Sequence, residues 1–281
     1  MGKITHYLVT RFNIRIDGYG PEWMHGGITT PGWEIKRLPL FEHYCAPTVN
    51  HQANTDFTWI IYCDARTPDN ILHRIRQAIA PSVQYDIVLT ENYASMLMDL
   101  RYKCANCPTP YVITTRLDND DGIGEDFIKE IQAHFTGDPN VLLNVLGGVN
   151  YDCDKKIFTY HRYSLRNSFM SLVESTNGAD QLLTILGFRH LAPPAEMKII
   201  NIPLRYGFWM TLHDQNAAQR INLGWPVRAK PILSHYHILP ADVRTSWINT
   251  STYFITWLPK AVYRKMKFKI RSLFSKPIAS K

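Results

Sequence analysis

The sequence predicts an α/β fold in which a mostly parallel sheet is flanked by helices and followed by a basic amphipathic C-terminal helix. Apolar runs of strand length alternate with stretches of helical periodicity through the first half of the chain, and this alternation is typical of parallel sheets. Acidic residues stand at the ends of two apolar runs, and residues 257–281 are strongly basic. Because no long polar linker interrupts the chain, we expect one domain over residues 1–256 and a tail over residues 257–281.

The predicted elements of the first half follow a regular order. The first strand, at residues 5–14, is rich in β-branched and aromatic residues and is followed by a Gly- and Pro-rich loop over residues 17–33. Further strands are predicted at residues 57–64, 85–92 and 111–118, and helices at residues 33–52, 68–80, 93–105 and 124–135. Ligands of such sheets lie beyond the carboxyl ends of the strands, and the acidic residues after Leu117 lie at such an end.

The second half of the chain is less regular. Residues 140–152 and 155–163 are predicted as two strands joined by a hairpin turn around residues 152–155. A short helix is predicted over residues 169–175 and a strand over residues 196–202. No internal repeat is evident.

Composition and charge narrow the class of protein. A chain of 281 residues with 45% hydrophobic content can bury a large core. No uncharged apolar run is long enough to span a membrane and the N-terminus lacks the apolar region of a signal peptide, so we expect a cytoplasmic protein. The formal net charge is +7, but residues 257–281 hold eight basic residues and no acid. A nucleic-acid partner, which needs a basic face on the body of the fold, is therefore not expected.

The most informative motif is the polar run at residues 118–121, which comes directly after the apolar fourth strand. Carboxylates this close repel one another, so the run costs stability unless a positive charge lies among them. Since side chains alternate along a strand, Asp118 and Asp120 should point the same way and Asn119 the opposite way. Such oxygen ligands suit a Mg²⁺ or Mn²⁺ ion that also binds a substrate diphosphate.

Two neighbours of this D-x-D pair leave alternatives open. Arg116 shares the strand parity of the two aspartates, so it either offsets their charge or holds a phosphate, and the alternative is that it packs its stem with the head in solvent. Asp121 alone could cap the helix that starts near Gly124.

The chain also contains an ordered series of short motifs: TRFNIR (10–15), W-x3-R-x3-FE-x2-C (33–45), FTWIIYCDARTP (57–68), TRLDNDDGIG (115–124), SFMSLVE (168–174) and WMTLHDQN (209–216). Together they resemble the bacterial family of putative rhamnosyltransferases, from about residue 5 to about residue 220. The resemblance implies a GT-A fold, which is Rossmann-like, with a nucleoside-diphosphate-sugar donor and Mn²⁺ or Mg²⁺. Rhamnose is the sugar in the family's name.

The resemblance also implies roles for individual residues. It implies nucleotide-sugar binding for a set at the strand ends, namely Thr10, Arg11, Phe12, Asp64, Arg116, Asp118 and Asn119. Asp120 matches the direct metal ligand, Asp118 matches a residue that binds the ribose or a metal-bound water, and His213 matches a histidine that completes the metal shell. His235 and His237 are the rival histidine pair, for which a structural role is favoured.

An inverting transfer needs a group that takes the proton of the acceptor hydroxyl, and a carboxylate close to the sugar suits that task. Glu174 is the first candidate, because the apolar residues before it would anchor the segment. The alternative for Glu174 is a surface position that closes a helix. Asp180 is the second candidate base, although an N-cap role explains it equally well.

The tail over residues 257–281 has a helical pattern of its own. Most of its basic residues lie elsewhere around the helix from its apolar residues. The apolar residues recur at spacings of three and four and are Val262, Met266, Ile270, Leu273 and Phe274. A basic amphipathic helix can lie on an anionic membrane, so we expect association with the inner face of the membrane. Packing of this helix on the domain is the alternative.

The sequence therefore favours a metal-dependent glycosyltransferase that moves a sugar from a nucleoside diphosphate to a glycan or lipid-linked acceptor. Two other classes stay open. Clustered aspartates also build the two-metal sites of phosphoesterases and nucleases. A non-catalytic membrane- or polyanion-binding module would use the tail, with the aspartates only capping a helix.

Overall fold

The computed structural model describes residues 4–14, 32–162, 164–165, 167–177, 182–189, 192–213 and 224–259. Strands and helices alternate through the first half. The strands are β1 (Ile4–Arg11), β2 (Thr58–Asp64), β3 (Tyr85–Thr90), β4 (Tyr111–Arg116) and β5 (Gly122–Ile123). The helices are α1 (Trp33–Leu40), α2 (Ala46–Asn50), α3 (Asp69–Ala78), α4 (Tyr93–Ala105) and α5 (Phe127–Ala133). A π-helical turn, Phe41–Cys45, joins α1 to α2.

The second half contains most of the strands. They are β6 (Val141–Val145), β7 (Gly148–Asp152), β8 (Ile157–His161), β9 (Ser171–Ser175), β10 (Lys198–Ile202), β11 (Phe208–Leu212) and β12 (Trp225–Val227). Helix α6 covers Lys230–Tyr236, a short 3-10 turn covers Pro240–Asp242, and helix α7 covers residues 247–259. Most of the predicted loop over residues 17–33 and most of the predicted tail lie outside the described residues.

The central sheet has seven strands in the order β10-β6-β9-β4-β1-β2-β3. β1 pairs in parallel with β2 and β4, and β2 pairs in parallel with β3, so the carboxyl ends of these four strands meet at one edge. β10 is parallel to β6, whereas β9 is antiparallel to both of its neighbours, β4 and β6. The predicted α/β class with a mostly parallel sheet is confirmed.

The inner strands of this sheet, which are β1, β2, β4, β6 and β9, bury residues on both faces, which explains their continuous apolar sequences. Successive residues alternate between two hydrophobic clusters: Leu8 belongs to one and Val9 to the other, and Ile61 and Ile60 divide in the same way. Residues of α1, α2, α3 and α5 pack in the first cluster and residues of α4 in the second. Helices therefore flank both faces of the sheet, as predicted.

The helix predicted over residues 169–175 is wrong, because residues 171–175 form strand β9 in the interior of the sheet. Leu172 and Val173 point into opposite hydrophobic clusters, as alternation along a strand requires. Pairing with β4 and β6 gives the backbone hydrogen-bond partners on both sides. An isolated helix of this length would be marginal in water.

The strand predicted over residues 140–152 is in fact two strands that belong to different sheets. β6 lies in the central sheet, and after Leu146 and Gly147 the chain enters a second sheet as β7. This sheet has the order β12-β8-β7-β11-β5. The predicted hairpin after residue 152 is confirmed, since β7 and β8 pair antiparallel. Trp209 of β11 packs there against Tyr236 of α6, with ring centroids 5.4 Å apart.

Helix α7 packs on the edge strand β12 of the second sheet. The rings of Trp225 and Trp257 have centroids 4.6 Å apart, and the Tyr253 hydroxyl donates to the Gly224 carbonyl at 3.1 Å. The predicted boundary between residues 256 and 257 falls inside this helix. Across the described part of the chain, no helix combines the length and apolarity needed to cross a bilayer.

Candidate functional site at the carboxyl edge of the central sheet

The acidic run lies in the turn between β4 and β5, at the carboxyl edge where β1, β2, β3 and β4 end. The backbone amide of Asp121 donates to the Asp118 carbonyl at 3.1 Å and closes the turn. The two glycines that follow are explained by close contacts. A Cβ atom on Gly122 would lie 2.8 Å from a methyl carbon of Thr48, and one on Gly124 would lie 1.9 Å from the carbonyl oxygen of Tyr206. The run is thus held tightly between the two sheets.

Asp118 is paired with two arginines. Arg116 donates from Nε and Nη2 to the two carboxylate oxygens at 3.1 and 2.6 Å, and Arg11 Nη2 lies 3.6 Å from Oδ1. Burial by itself would raise the pKa of Asp118, but the positive charges of Arg116 and Arg11 outweigh burial and lower it. Arg116 therefore offsets the acidic charge, which is one of the two roles that its strand parity predicts.

Asp120 is part of a second cluster, which forms around Arg37 of α1. Arg37 Nε donates to Asn119 Oδ1 at 2.8 Å, and its Nη1 lies 3.1 Å from Asp120 Oδ2 and 2.7 Å from His213 Nε2. Asp120 Oδ2 and His213 Nε2 are 2.9 Å apart. Asn119 and Asp120 both contact Arg37, so the strict alternation predicted for residues 118–120 ends with β4.

A guanidinium nitrogen can only donate, so Arg37 donates to the carboxylate of Asp120. His213 Nε2 lies within hydrogen-bond distance of both groups.

Two of the three predicted metal ligands are brought together by the structure. Asp120 and His213 offer one carboxylate oxygen and one imidazole nitrogen side by side, which suits an ion whose remaining ligands are water and phosphate. Asp118, predicted as the third ligand, has both oxygens bonded by Arg116. No group of three or more His, Cys, Asp or Glu that could hold a metal occurs among the described residues.

Asp121 connects the turn to the second sheet. Its Oδ1 accepts from the backbone amide of Thr211 at 2.9 Å. Burial, together with repulsion from Asp120 and Asp118, raises its pKa well above the ordinary value. The capping alternative for Asp121 is wrong, because α5 begins at Phe127, well after this turn.

The predicted nucleotide-binding residues at the end of β1 point in two directions, one toward the acidic run and one into the core. Arg11 reaches Asp118 and lies over the ring of Tyr93, 5.7 Å from its centroid. Thr10 and Phe12 point the opposite way: the Thr10 hydroxyl accepts from Trp59 Nε1 at 2.9 Å, and Phe12 is buried in the core. Their side chains are therefore not brought to the acidic run, because alternation places only every second residue there.

Asp64 lies at the end of β2 on the same edge of the sheet. Its backbone amide donates to Asn13 Oδ1 at 2.9 Å, and Arg66 donates to both of its carboxylate oxygens at 2.8 and 2.7 Å. The structure therefore places Asp64 at the edge where the other strand-end residues meet.

Glu174 is not brought to this edge. It lies on β9 opposite Val112, four residues before the end of β4, or roughly 13 Å of strand. Its carboxylate accepts from the amides of Leu183 and Thr184 at 2.6 and 3.0 Å. Burial raises its pKa, and these two amides oppose the rise. The sequence missed this placement because it assigned residues 169–175 to a helix. Asp180, the other candidate base, lies outside the described residues.

The rival histidine pair contacts a different acid. His237 Nε2 lies 3.0 Å from one oxygen of Glu125, and His235 Nδ1 lies 3.6 Å from the other. His237 also stacks on His51, with ring centroids 4.3 Å apart.

Arg37 is the main site residue for which sequence analysis gave no role. The signal was present, since Arg37 is the arginine of the quoted motif W-x3-R-x3-FE-x2-C. Its guanidinium carbon lies 5.2 Å from the centroid of the Trp33 ring one turn earlier, and Phe41, one turn later, packs edge-on against Phe12 at 5.8 Å. The helical spacing thus aims this arginine at the carboxyl edge.

A family comparison identifies the class of protein. The model of the family described as putative rhamnosyl transferase matches residues 19–224, which is more than half of the chain. The chain therefore belongs to this glycosyltransferase family. The resemblance seen in the sequence motifs is confirmed. Comparison with curated proteins gives no significant match.

Solved structures give distant likenesses. S. aureus TarS 1–349 has a TM-score of 0.38 and 10% identity over 74% of this chain and 60% of that one. The same protein in complex with UDP-GlcNAc gives 0.41 and 11% over 74% and 59%. HddC from Yersinia pseudotuberculosis gives 0.32 and 12% over 69% and 89%. The chain thus spans about 60% of the length of TarS 1–349, and likeness at this level does not extend to substrate or mechanism.

Proposed function

We propose that this protein transfers a sugar from a nucleoside-diphosphate donor to a glycan or lipid-linked acceptor, with a GT-A type of site. The observation that carries the proposal is the arrangement of charge at the carboxyl edge of the central sheet. Three buried or half-buried guanidinium groups, those of Arg11, Arg37 and Arg116, surround the acidic run. Family membership gives the reaction class, and rhamnose as the sugar rests on the family's name.

The arginines suit the leaving group of such a reaction. Breaking the bond between the sugar and the diphosphate builds negative charge on the phosphate oxygens, and fixed donors aimed at that charge stabilise the transition state. Arginine offers planar paired donors that match phosphate geometry. Arg11 and Arg116 are held in place by Asp118, and Arg37 by Asn119 and Asp120. They therefore need little reorganisation when a diphosphate binds.

A Mg²⁺ or Mn²⁺ ion would be held by Asp120 and His213. When bound, the ion supplies Lewis acidity and orients the diphosphate. Asp118 holds its arginine partners, Asp64 is proposed to contact the nucleoside, and Arg37 holds the two metal ligands at their present spacing. We do not propose Glu174 as the base, because its carboxylate is bonded to backbone amides away from this edge. Asp180 stays the sequence-based candidate for that role.

The test is a thermal-shift screen of the purified protein with UDP-, GDP-, dTDP- and CDP-linked sugars, each with and without Mn²⁺ or Mg²⁺. A ligand that binds the native state raises the melting temperature by an amount set by its concentration relative to Kd. We expect one nucleotide class to stabilise the protein, and more strongly with metal. Asp120→Asn, which keeps the shape of the side chain, should lose the metal-dependent part.

The matched control is Asp126→Asn, whose carboxylate is half exposed and pairs only with Lys129 among the described residues, at 3.1 Å. It should respond to nucleotide and metal as the wild type does. If no nucleotide sugar stabilises the wild type in any metal condition, the proposed function is wrong. If Asp120→Asn keeps the full metal response, the assignment of Asp120 as a metal ligand is wrong while the donor class stands.

A cytoplasmic location at the inner face of the membrane is proposed with the same function, because nucleotide sugars are cytoplasmic substrates and a lipid-linked acceptor would lie at that face. The basic residues of the tail support this part of the proposal through their charge alone. Residues 260–281 lie outside the described residues.

A further inference from the structure

Helix α7 presents an apolar surface to solvent. Five of its large hydrophobic side chains are exposed, at 78% for Trp247, 58% for Ile248, 39% for Phe254, 70% for Ile255 and 36% for Leu258. At 100° per residue these five positions fall within one sector of about 120° on the helix. We call this sector the α7 apolar face.

The α7 apolar face is directed outward because other residues fix the helix from the opposite side. Tyr253 and Trp257 contact the strand β12 and the residue before it. Asn249 Nδ2 donates to the Lys155 carbonyl at 2.7 Å in the hairpin between β7 and β8. The helix is thus anchored on the second sheet, and its orientation does not depend on the exposed side chains.

The composition of this helix is unusual for a surface helix of a globular domain. Such helices carry charged residues on their outward face, whereas residues 246–259, SWINTSTYFITWLP, contain no charged residue. Single exposed hydrophobic residues are normal, but a contiguous exposed patch marks an interaction surface. Trp225, 54% exposed, extends the patch beside the helix.

The charge of the adjoining sequence identifies the partner. Lys260 follows the helix directly, and no acidic residue occurs from there to the C-terminus, whereas basic residues recur throughout. Tryptophan, isoleucine and leucine beside a polybasic stretch form the pattern of segments that lie in the interface of an anionic bilayer. A second copy of the chain would bring two polybasic stretches together, and their repulsion opposes self-association through this face.

We propose that the α7 apolar face inserts into the surface of an anionic lipid bilayer, with the basic residues that follow it bound to the lipid headgroups. This proposal adds a specific surface to the membrane association proposed above. It rests on the proposed function only for the purpose of membrane binding, which is to bring the site close to a lipid-linked acceptor. Lipid binding itself is measured without any sugar nucleotide. Its failure and the failure of the proposed function are therefore distinguishable.

The experiment is flotation of the full chain with vesicles of phosphatidylcholine alone and of phosphatidylcholine with 30% phosphatidylglycerol, at low and high salt. The variant Trp247→Ser/Ile255→Ser removes two exposed side chains of the α7 apolar face. The control Met98→Ser/Tyr102→Ser removes two exposed side chains of α4, which are 63% and 70% exposed. Melting temperatures of all three proteins establish that they are folded.

We expect the wild type and the control to float with the anionic vesicles at low salt, with binding reduced at least tenfold on neutral vesicles. The α7 variant should bind anionic vesicles at least tenfold more weakly than the control. Wild-type protein that stays unbound with anionic vesicles would overturn the proposal. Equal flotation of the α7 variant and the control would also overturn it, as would a stable dimer that the α7 variant converts to monomer.

Discussion

The carboxyl edge of the central sheet and the α7 apolar face depart from ordinary burial in opposite directions. At the edge, acids and arginines are buried or half-buried, where charges cost free energy unless they are paired. On α7, tryptophan and isoleucine are exposed, where apolar surface costs free energy because it contacts water. Both regions lie in a protein whose other apolar residues are mostly buried in three hydrophobic clusters.

The two regions should respond differently when a residue is removed. Paired buried charges depend on one another, so removing one partner leaves the other unpaired in a poorly solvated place. The exposed side chains of Trp247 and Ile255 are mostly solvated, so removing them should leave folding unchanged and alter only binding. Substitutions in the two regions should therefore differ in their effect on stability.

Arg37→Met should destabilise the protein by about 3 kcal/mol, because it removes the cation that pairs with the buried carboxylate of Asp120. The measurement is the free energy of unfolding in urea. Arg74→Met is the matched control, since Arg74 pairs with Glu42 at the surface, with Nε 2.9 Å from Oε1, and should cost less than about 1 kcal/mol.

Divalent metal should affect Arg37→Met and the wild type differently. If an ion binds between Asp120 and His213, Mn²⁺ should restore more stability to Arg37→Met than it adds to the wild type, and chelation should remove the gain. Equal responses of the two proteins to Mn²⁺ would contradict the assignment of this pair as metal ligands.

Glu174→Gln should destabilise by about 2 kcal/mol, since an amide in place of the carboxylate leaves one of the Leu183 and Thr184 amides facing a donor. Nucleotide binding and sugar transfer should persist in the folded variant, because the side chain lies away from the carboxyl edge. Loss of transfer at unchanged stability and unchanged nucleotide affinity would restore Glu174 as the base.

His6 makes stability depend on pH in a defined direction. It is a buried residue of β1 with Thr115 Oγ1 2.7 Å from its Nε2, and burial lowers its pKa to about 3. Between that value and the unfolded value of about 6.5 the unfolded chain binds a proton that the folded chain does not. Stability should therefore fall as the pH drops through this window, by up to about 1.4 kcal/mol per pH unit from this group.

The variant His6→Gln isolates this contribution. It should show a shallower loss of stability between pH 6.5 and pH 4 than the wild type, measured by urea unfolding at each pH. Parallel curves for the two proteins would mean that His6 gains its proton in the folded state.

Trp247→Ser/Ile255→Ser should change the free energy of unfolding by less than about 0.5 kcal/mol, because both side chains are mostly solvated. The measurement is the same urea titration. A loss of several kcal/mol would show that the α7 apolar face supports the fold, and the contrast with the carboxyl edge would then fail.

Part of the site could be predicted from the sequence because its position depends on local patterns. The apolar runs that end at Asp64 and Arg116 place their ends at one edge of any parallel sheet, so Arg11, Asp64 and Asp118 were expected together and lie along that edge. Thr10 and Phe12 were expected there as well, but alternation along β1 turns their side chains into the core. Glu174 was misplaced because five residues of mixed polarity fit a helix turn and a buried strand equally well.

Periodicity and turn residues act over a few positions, so local sequence was enough to predict the α/β class, the order of elements in the first half and the acidic turn after β4. The folded molecule was needed to show that β9 enters the central sheet antiparallel between β4 and β6, and that Arg37 meets Asn119, Asp120 and His213. The three partners of Arg37 lie between 82 and 176 positions away from it along the chain. Such contacts follow from packing of the whole molecule, since the local sequence around Arg37 does not specify which distant groups will face it.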